Sequence, residues 1–163
     1  MVSFRGTRRC AAQASAPVVS NTHPNCDQIM EPGSPDGPAL PRDILIVEDD
    51  PIIALDFEDT ILGFGVTAVR TASSVARALD MISERAPDFA LLDVSLIREK
   101  SFAIAERLEA LKIPYIFVTG YGADASIPAA FSDKPRLPKP CSSAALQAAL
   151  RGLADNAHKR EPG

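Results

Sequence analysis

Ile44-Leu45-Ile46-Val47-Glu48-Asp49-Asp50, followed at once by Pro51, sets how the rest of the chain is read. Four apolar residues in a row, three of them β-branched, leave no polar face. Such a run suits a strand of a parallel sheet that helices cover on both sides. The acidic triplet behind it stops the strand. Asp50 is a helix N-cap and Pro51 is suited to the first helical position. One short segment therefore reads as strand, acidic turn and helix start.

The same grammar recurs along the chain. Phe89-Ala90-Leu91-Leu92 and Tyr115-Ile116-Phe117-Val118 are apolar runs of the same kind. Val66 to Thr71 is a weaker strand, and Arg136-Leu137 is the remnant of a fifth between Pro135 and Pro138. Helical patterns lie between them. Ile52, Leu55, Asp59 and Leu62 form a stripe on the first helix, which Gly63 ends. Ser73 or Ser74 opens the second, with Val75, Leu79 and Ile82 inward and Pro87 beyond its end. Ile104, Leu108 and Leu111 mark the third, which stops before Pro114. The last starts near Ser142 and aligns Leu146, Ala149, Leu150 and Leu153. Between Thr119 and Arg136 a helix is expected, but Gly120, Gly122 and Pro128 weaken it. Only a short stretch around 123–126 or 129–132 remains, so the fourth helix is expected to be short or irregular. A βα unit repeated five times implies an α/β fold, a three-layer doubly wound (βα)5 sandwich with right-handed crossovers.

The flanks differ in composition. Six of the 14 prolines fall within residues 1–41, amid Ser, Ala, Asn and Gly, with no sustained period. This stretch reads as a disordered Pro-rich extension. Arg5, Arg8 and Arg9 hint at targeting, but the residues that follow are too weakly apolar for a signal-peptide core. Those arginines are balanced by Asp27, Glu31 and Asp36, so the net charge of −4 falls on the domain at 42–153. Residues 154–163 read as a flexible tail. No apolar run is long enough to span a bilayer. The acidic balance argues against a positive coat for nucleic acid, and no DNA-binding motif is visible. Cys10, Cys26 and Cys141 form neither a disulfide framework nor a zinc spacing, so a reducing compartment, the cytoplasm, is expected.

In doubly wound sheets functional groups gather at the carboxyl ends of the strands. There stand Glu48, Asp49 and Asp50 after the first strand, Asp93 after the third, Thr119 after the fourth and Lys139 after the fifth. Crowded carboxylates repel and take up protons unless a cation sits among them. A small set of hard oxygen ligands suits Mg²⁺, which keeps several waters and accepts phosphate as an added ligand. Asp93 is then a candidate nucleophile for a phosphoryl group, a transfer that needs positioning and charge neutralisation above all. Lys139 and the cation supply charge, and Thr119 a hydroxyl donor.

With Ile44–Asp50, Leu91-Leu92-Asp93, Val118-Thr119-Gly120 and Leu137-Pro138-Lys139-Pro140 in place, the segment 42–153 resembles the receiver domain of two-component response regulators. The resemblance implies a flavodoxin-like sheet of order 2-1-3-4-5. It implies that Asp93 is the phosphoacceptor, modified to 4-aspartylphosphate. Asp49 would bind Mg²⁺ directly, Glu48 mostly through water, and Ser95 through its backbone carbonyl. Thr119 would contact the phosphoryl oxygen and Lys139 would pair with it. The Lys139–Pro140 bond is often cis in such domains. The implied partners are a sensor histidine kinase or histidine phosphotransfer protein and a downstream regulator protein, with a weak homodimer left open. The implied role is signalling rather than enzymatic, with only slow self-dephosphorylation.

The chain also departs from the common pattern. Arg136 stands where most receivers have a Tyr or Phe of the output switch, and Ile97 where a proline is common. Phe117-Val118-Thr119-Gly120-Tyr121-Gly122 is similar to the Phe-Ala-Thr-Gly-Tyr motif of a subgroup of single-domain receivers that lack that aromatic and have a poorly formed fourth helix. Tyr121, beside the phosphoryl site, is a candidate shield or substitute switch. Three alternatives stand beside a phosphoacceptor. A receiver-like binding module acting independently of phosphorylation is the first. A flavodoxin-like cofactor binder is disfavoured, because Glu48-Asp49-Asp50 repels phosphate where a cradle of amides is needed. An independent phosphatase lacks an Asp-x-Asp pair on the first strand.

Overall fold

A computed structural model describes residues 39–97, 99–120 and 127–158. Tyr121, Cys10, Cys26 and most of the N-terminal extension lie outside the described residues. The elements follow in the order β1 (Asp43–Val47), α1 (Pro51–Gly63), β2 (Ala68–Ala72), α2 (Val75–Glu84), β3 (Phe89–Asp93), α3 (Phe102–Ala110), β4 (Tyr115–Thr119), β5 (Arg136–Pro138) and α4 (Ser143–His158). The strands form one parallel sheet of order β2-β1-β3-β4-β5. Between β4 and β5 the described residues hold a single 3-10 turn, Ala129–Phe131, where the sequence predicted a short or irregular helix. Helix α4 runs past residue 153 to His158.

Alternation along each strand divides the core into two layers. Leu45, Val47, Ala90, Leu92, Tyr115 and Phe117 face α2 and α3, where Ala78, Ile82, Ile104 and Leu108 meet them. Ile44, Ile46, Phe89, Leu91, Ile116 and Val118 face the other way, against Phe57 and Ile61 of α1 and Leu146 and Leu150 of α4. Strands β1, β3 and β4 are covered on both sides, which is why their sequences are continuously apolar.

Local chemistry sets the helix ends. The Asp50 carboxylate accepts from the Ile52 and Ile53 amides, and Pro51 needs no partner. Ser74 is the N-cap of α2, its hydroxyl accepting from the Arg77 amide. After α1 the chain turns at Gly65, whose φ of 93° lies in the left-handed region that side chains avoid.

One expectation is reversed. The stripe Ile52, Leu55 and Leu62 of α1 faces solvent, with Ile52 78% and Leu55 57% exposed. Ala54, Phe57 and Ile61 are buried instead. The helix is apolar on both sides, so periodicity permits two phases. The inward phase is the one that puts the small Ala54 and the large Phe57 against the sheet. Truncating Ile61 to alanine should cost about 2–5 kcal/mol, while truncating exposed Ile52 should stay within about 0.5 kcal/mol. Leu111 lies one residue past the last helical residue of α3, Ala110, as its C-cap, and is 39% exposed.

The amino ends of the strands are closed by an ion-paired knot. Arg70 donates to both Asp43 oxygens at 2.9 Å, and to the Met81 and Arg85 carbonyls at the end of α2. Arg85 also pairs with Asp43 at 3.0 Å. The Asp88 carboxylate accepts from the Arg42 and Asp43 amides.

Candidate functional site

The carboxyl ends of the strands carry the opposite arrangement. Register pairs Val47 with Leu92, Asp93 with Val118, and Thr119 with Pro138. The residues at or just beyond these pairs, Glu48, Asp49, Asp93, Thr119 and Lys139, are thereby brought to one edge. Carboxylate oxygens of Glu48, Asp49 and Asp93 all lie within 4.8 Å of one another. Glu48 and Asp93 are buried, and Asp49 is partly exposed. Asp50 is not part of the cluster; its carboxylate caps α1.

Lys139 is the counter-charge. The Lys139–Pro140 peptide is cis, and the Lys139 amide donates to the Thr119 carbonyl at 2.7 Å. Its ammonium donates to Asp93 Oδ2 at 3.0 Å and to Glu48 Oε2. Burial raises the Glu48 carboxyl above its ordinary value, against the opposing hydrogen bond from Lys139. For Lys139 burial pulls downward, but the hydrogen bonds to Glu48 and Asp93 outweigh it and the ammonium ends raised.

Three carboxylates against one ammonium leave the cluster two charges negative. At this spacing each like-charged pair repels by roughly 3 kcal/mol with an effective dielectric near 20. A divalent cation relieves that strain. The donor set, three hard carboxylates with one side open to water, fits Mg²⁺ better than a soft metal.

The Ser95 amide donates to Asp93 Oδ1 at 3.1 Å, and the Ser95 hydroxyl accepts from Lys100 Nζ at 3.0 Å. Thr119 is buried at the end of β4. Arg136 Nη2 donates to the Ser132 carbonyl at 2.7 Å and more weakly to that of Phe131, so it clasps the 3-10 turn. Phe131 in that turn stacks on Phe102 at 5.6 Å, and both rings stand edge-on to Phe117. This set of rings, unforeseen from sequence, packs between α3 and the turn before β5.

Two further contacts were missed. The Ile97 amide donates to Asp49 Oδ2 at 3.1 Å, and Glu99 Oε1 accepts from the Val75 amide at 3.0 Å. Neither has a local sequence signal, because each joins residues far apart in the chain. Among the described residues no helix is long and apolar enough to cross a membrane.

Comparison with known proteins identifies the family to which this fold belongs. Residues 44–151 match the model of the response regulator receiver domain. The chain is 32% identical over 98 residues to the phyllosphere-induced regulator PhyR of Methylorubrum extorquens, covering 58% of this chain and 37% of that protein. It is 31% identical over 86 residues to the polar-differentiation response regulator DivK of Brucella anthropi, covering 50% of this chain and 69% of that one. The match thus spans little more than a third of PhyR but most of DivK. The solution structure of SdrG from Sphingomonas melonis Fr1 superposes with a TM-score of 0.62 at 42% identity, covering 68% of this chain and 94% of that one. SdrG has also been solved in a BeF3-activated conformation, which matches at 39% identity over 69% of this chain and 96% of that one, with a TM-score of 0.61. With the family match spanning 44–151 and the sheet order β2-β1-β3-β4-β5, the chain belongs to the family of response regulator receiver domains.

Proposed function

We propose that Asp93 accepts a phosphoryl group from a phosphohistidine of a sensor histidine kinase or a histidine phosphotransfer protein, in the cytoplasm. The observation that carries this reading is Asp93 itself: a buried carboxylate held by Lys139 and flanked by Glu48 and Asp49. In the transfer an Asp93 oxygen bonds to phosphorus as the P–N bond breaks, and the bonding pair returns to the donor imidazole. Lys139 holds one Asp93 oxygen and then faces a phosphoryl oxygen. The Ser95 amide holds the other Asp93 oxygen. Thr119 supplies a hydroxyl at the end of β4. Glu48, Asp49, Asp93 and the Ser95 carbonyl would hold Mg²⁺, which when bound neutralises charge on the transferring oxygens.

The exposed Ile52 and Leu55, just behind the Asp50 cap, offer the donor protein an apolar landing beside the pocket. Output is contact with a downstream regulator protein or onward phosphotransfer, and hydrolysis is only slow self-discharge. The existence of a BeF3-activated conformation of the similar SdrG supports a domain that has an activated state. The test is phosphoryl incorporation from a small acyl phosphate into parent and Asp93→Asn proteins, with and without Mg²⁺. Labelling that requires both Asp93 and Mg²⁺ is expected; equal labelling of the variant refutes the assignment.

A second reading is favoured by Arg136, which is engaged with turn carbonyls where an aromatic switch is usual. A binding module indifferent to phosphorylation predicts full partner affinity in Asp93→Ala.

A further inference from the structure

The loop between β3 and α3 leaves the pocket and comes back to α3 under several restraints. Ser95 and Lys100 form an antiparallel bridge across its base, and Lys100 Nζ donates to the Ser95 hydroxyl. Leu96 is buried in the core layer against α2 and α3. The Ile97 amide holds Asp49. The remaining restraint reaches outside the site: Glu99 accepts the first amide of α2, that of Val75.

Helix α2 has no acidic residue in its first turn. Its N-terminus nevertheless needs acceptors and favours negative charge. Ser74 satisfies the Arg77 amide, and Glu99, 24 positions away, takes that of Val75. The charged hydrogen bond is of the stronger class. Its far end is a helix packed on β1 and β2. Its near end is two residues from Ile97 and four from Ser95.

We infer that Glu99 is a positioning residue for the acidic pocket. By latching the loop to the start of α2, it fixes where the Ser95 backbone and the Ile97 amide stand relative to Asp93 and Asp49. The inference rests on the pocket's role as a Mg²⁺ site for its metal readout only.

The experiment compares Glu99→Ala, Glu99→Gln and Ser74→Ala in the full chain by amide NMR, without and with Mg²⁺. Ser74→Ala weakens the same helix end without touching the loop. Without metal, the Ser95 and Ile97 amides shift in Glu99→Ala and stay parent-like in Ser74→Ala. In the Mg²⁺ titration Glu99→Ala binds about three- to tenfold more weakly, at or below the low end of what loss of an outer partner costs a metal site. Glu99→Gln, which keeps a neutral acceptor, falls between parent and alanine, and Ser74→Ala binds as the parent does. Unmoved Ser95 and Ile97 amides in Glu99→Ala overturn the inference, as does a Ser74→Ala protein equally impaired. A parent protein that shows no Mg²⁺ response counts against the site reading instead, and the metal-free shifts still decide the latch.

Discussion

The two ends of the sheet handle charge in opposite ways. At the amino end Asp43 meets two guanidinium groups, and Arg70 is fully engaged with carboxylate and helix carbonyls. At the carboxyl end Glu48, Asp49 and Asp93 share the ammonium of Lys139. The first arrangement is complete as it stands and serves to hold β1, β2 and α2 together. The second is left short of positive charge in a partly buried place, which is costly unless something else arrives. Stability is built into one edge and chemical appetite into the other.

That contrast can be broken most sharply at Asp49. An Asp49→Ala protein should bind Mg²⁺ at least about 100-fold more weakly, since even outer partners cost up to that much; isothermal titration measures it. An unchanged affinity would mean that the cluster is not the cation site. Next, Mg²⁺ at a hundredfold excess over its Kd should raise parent stability by about 2.7 kcal/mol, read as a shift in urea midpoint. An Arg70→Ala protein should gain the same increment, because distant sites add. Arg70→Ala itself should lose about 2 kcal/mol, the scale of a charged hydrogen-bond set, while its folded fraction still accepts phosphate at Asp93. Loss of labelling there would show that the two ends are coupled.

The smallest effect is one of pH. Glu48 has a folded value above its ordinary 4.5. Between 4.5 and that raised value the folded protein keeps a proton the unfolded chain has shed, so stability falls as pH rises through the window. Glu48→Gln should flatten that slope in urea titrations at successive pH values. Lys139, also raised, contributes below its ordinary 10.5 and loses that contribution only at more alkaline pH.

Much of the carboxyl edge was legible from local patterns. A strand that ends in an acidic triplet, an apolar run that ends in Asp93, and Lys139 between prolines each announce themselves within a few residues. Parallel βα repetition then forces them to one side. The amino edge was not legible. Arg70 and Asp43 sit inside strands as isolated charges, and only the register of β1 on β2 makes them partners. Glu99 was hidden for the same reason, because its partner is an amide, which every residue except proline has. The phase of α1 failed differently: with apolar residues all round, the period fits two rotations, and only packing of Ala54, Phe57 and Ile61 chooses.

That choice of phase has an evolutionary consequence. Folding energy rests mainly on the inner side of α1, and the exposed Ile52 and Leu55 contribute less of it. Lineages can therefore rewrite the outer side, one substitution at a time, without passing through unfolded intermediates. On the docking role proposed for this face, recognition of new signalling companions can drift while the scaffold beneath stays the same.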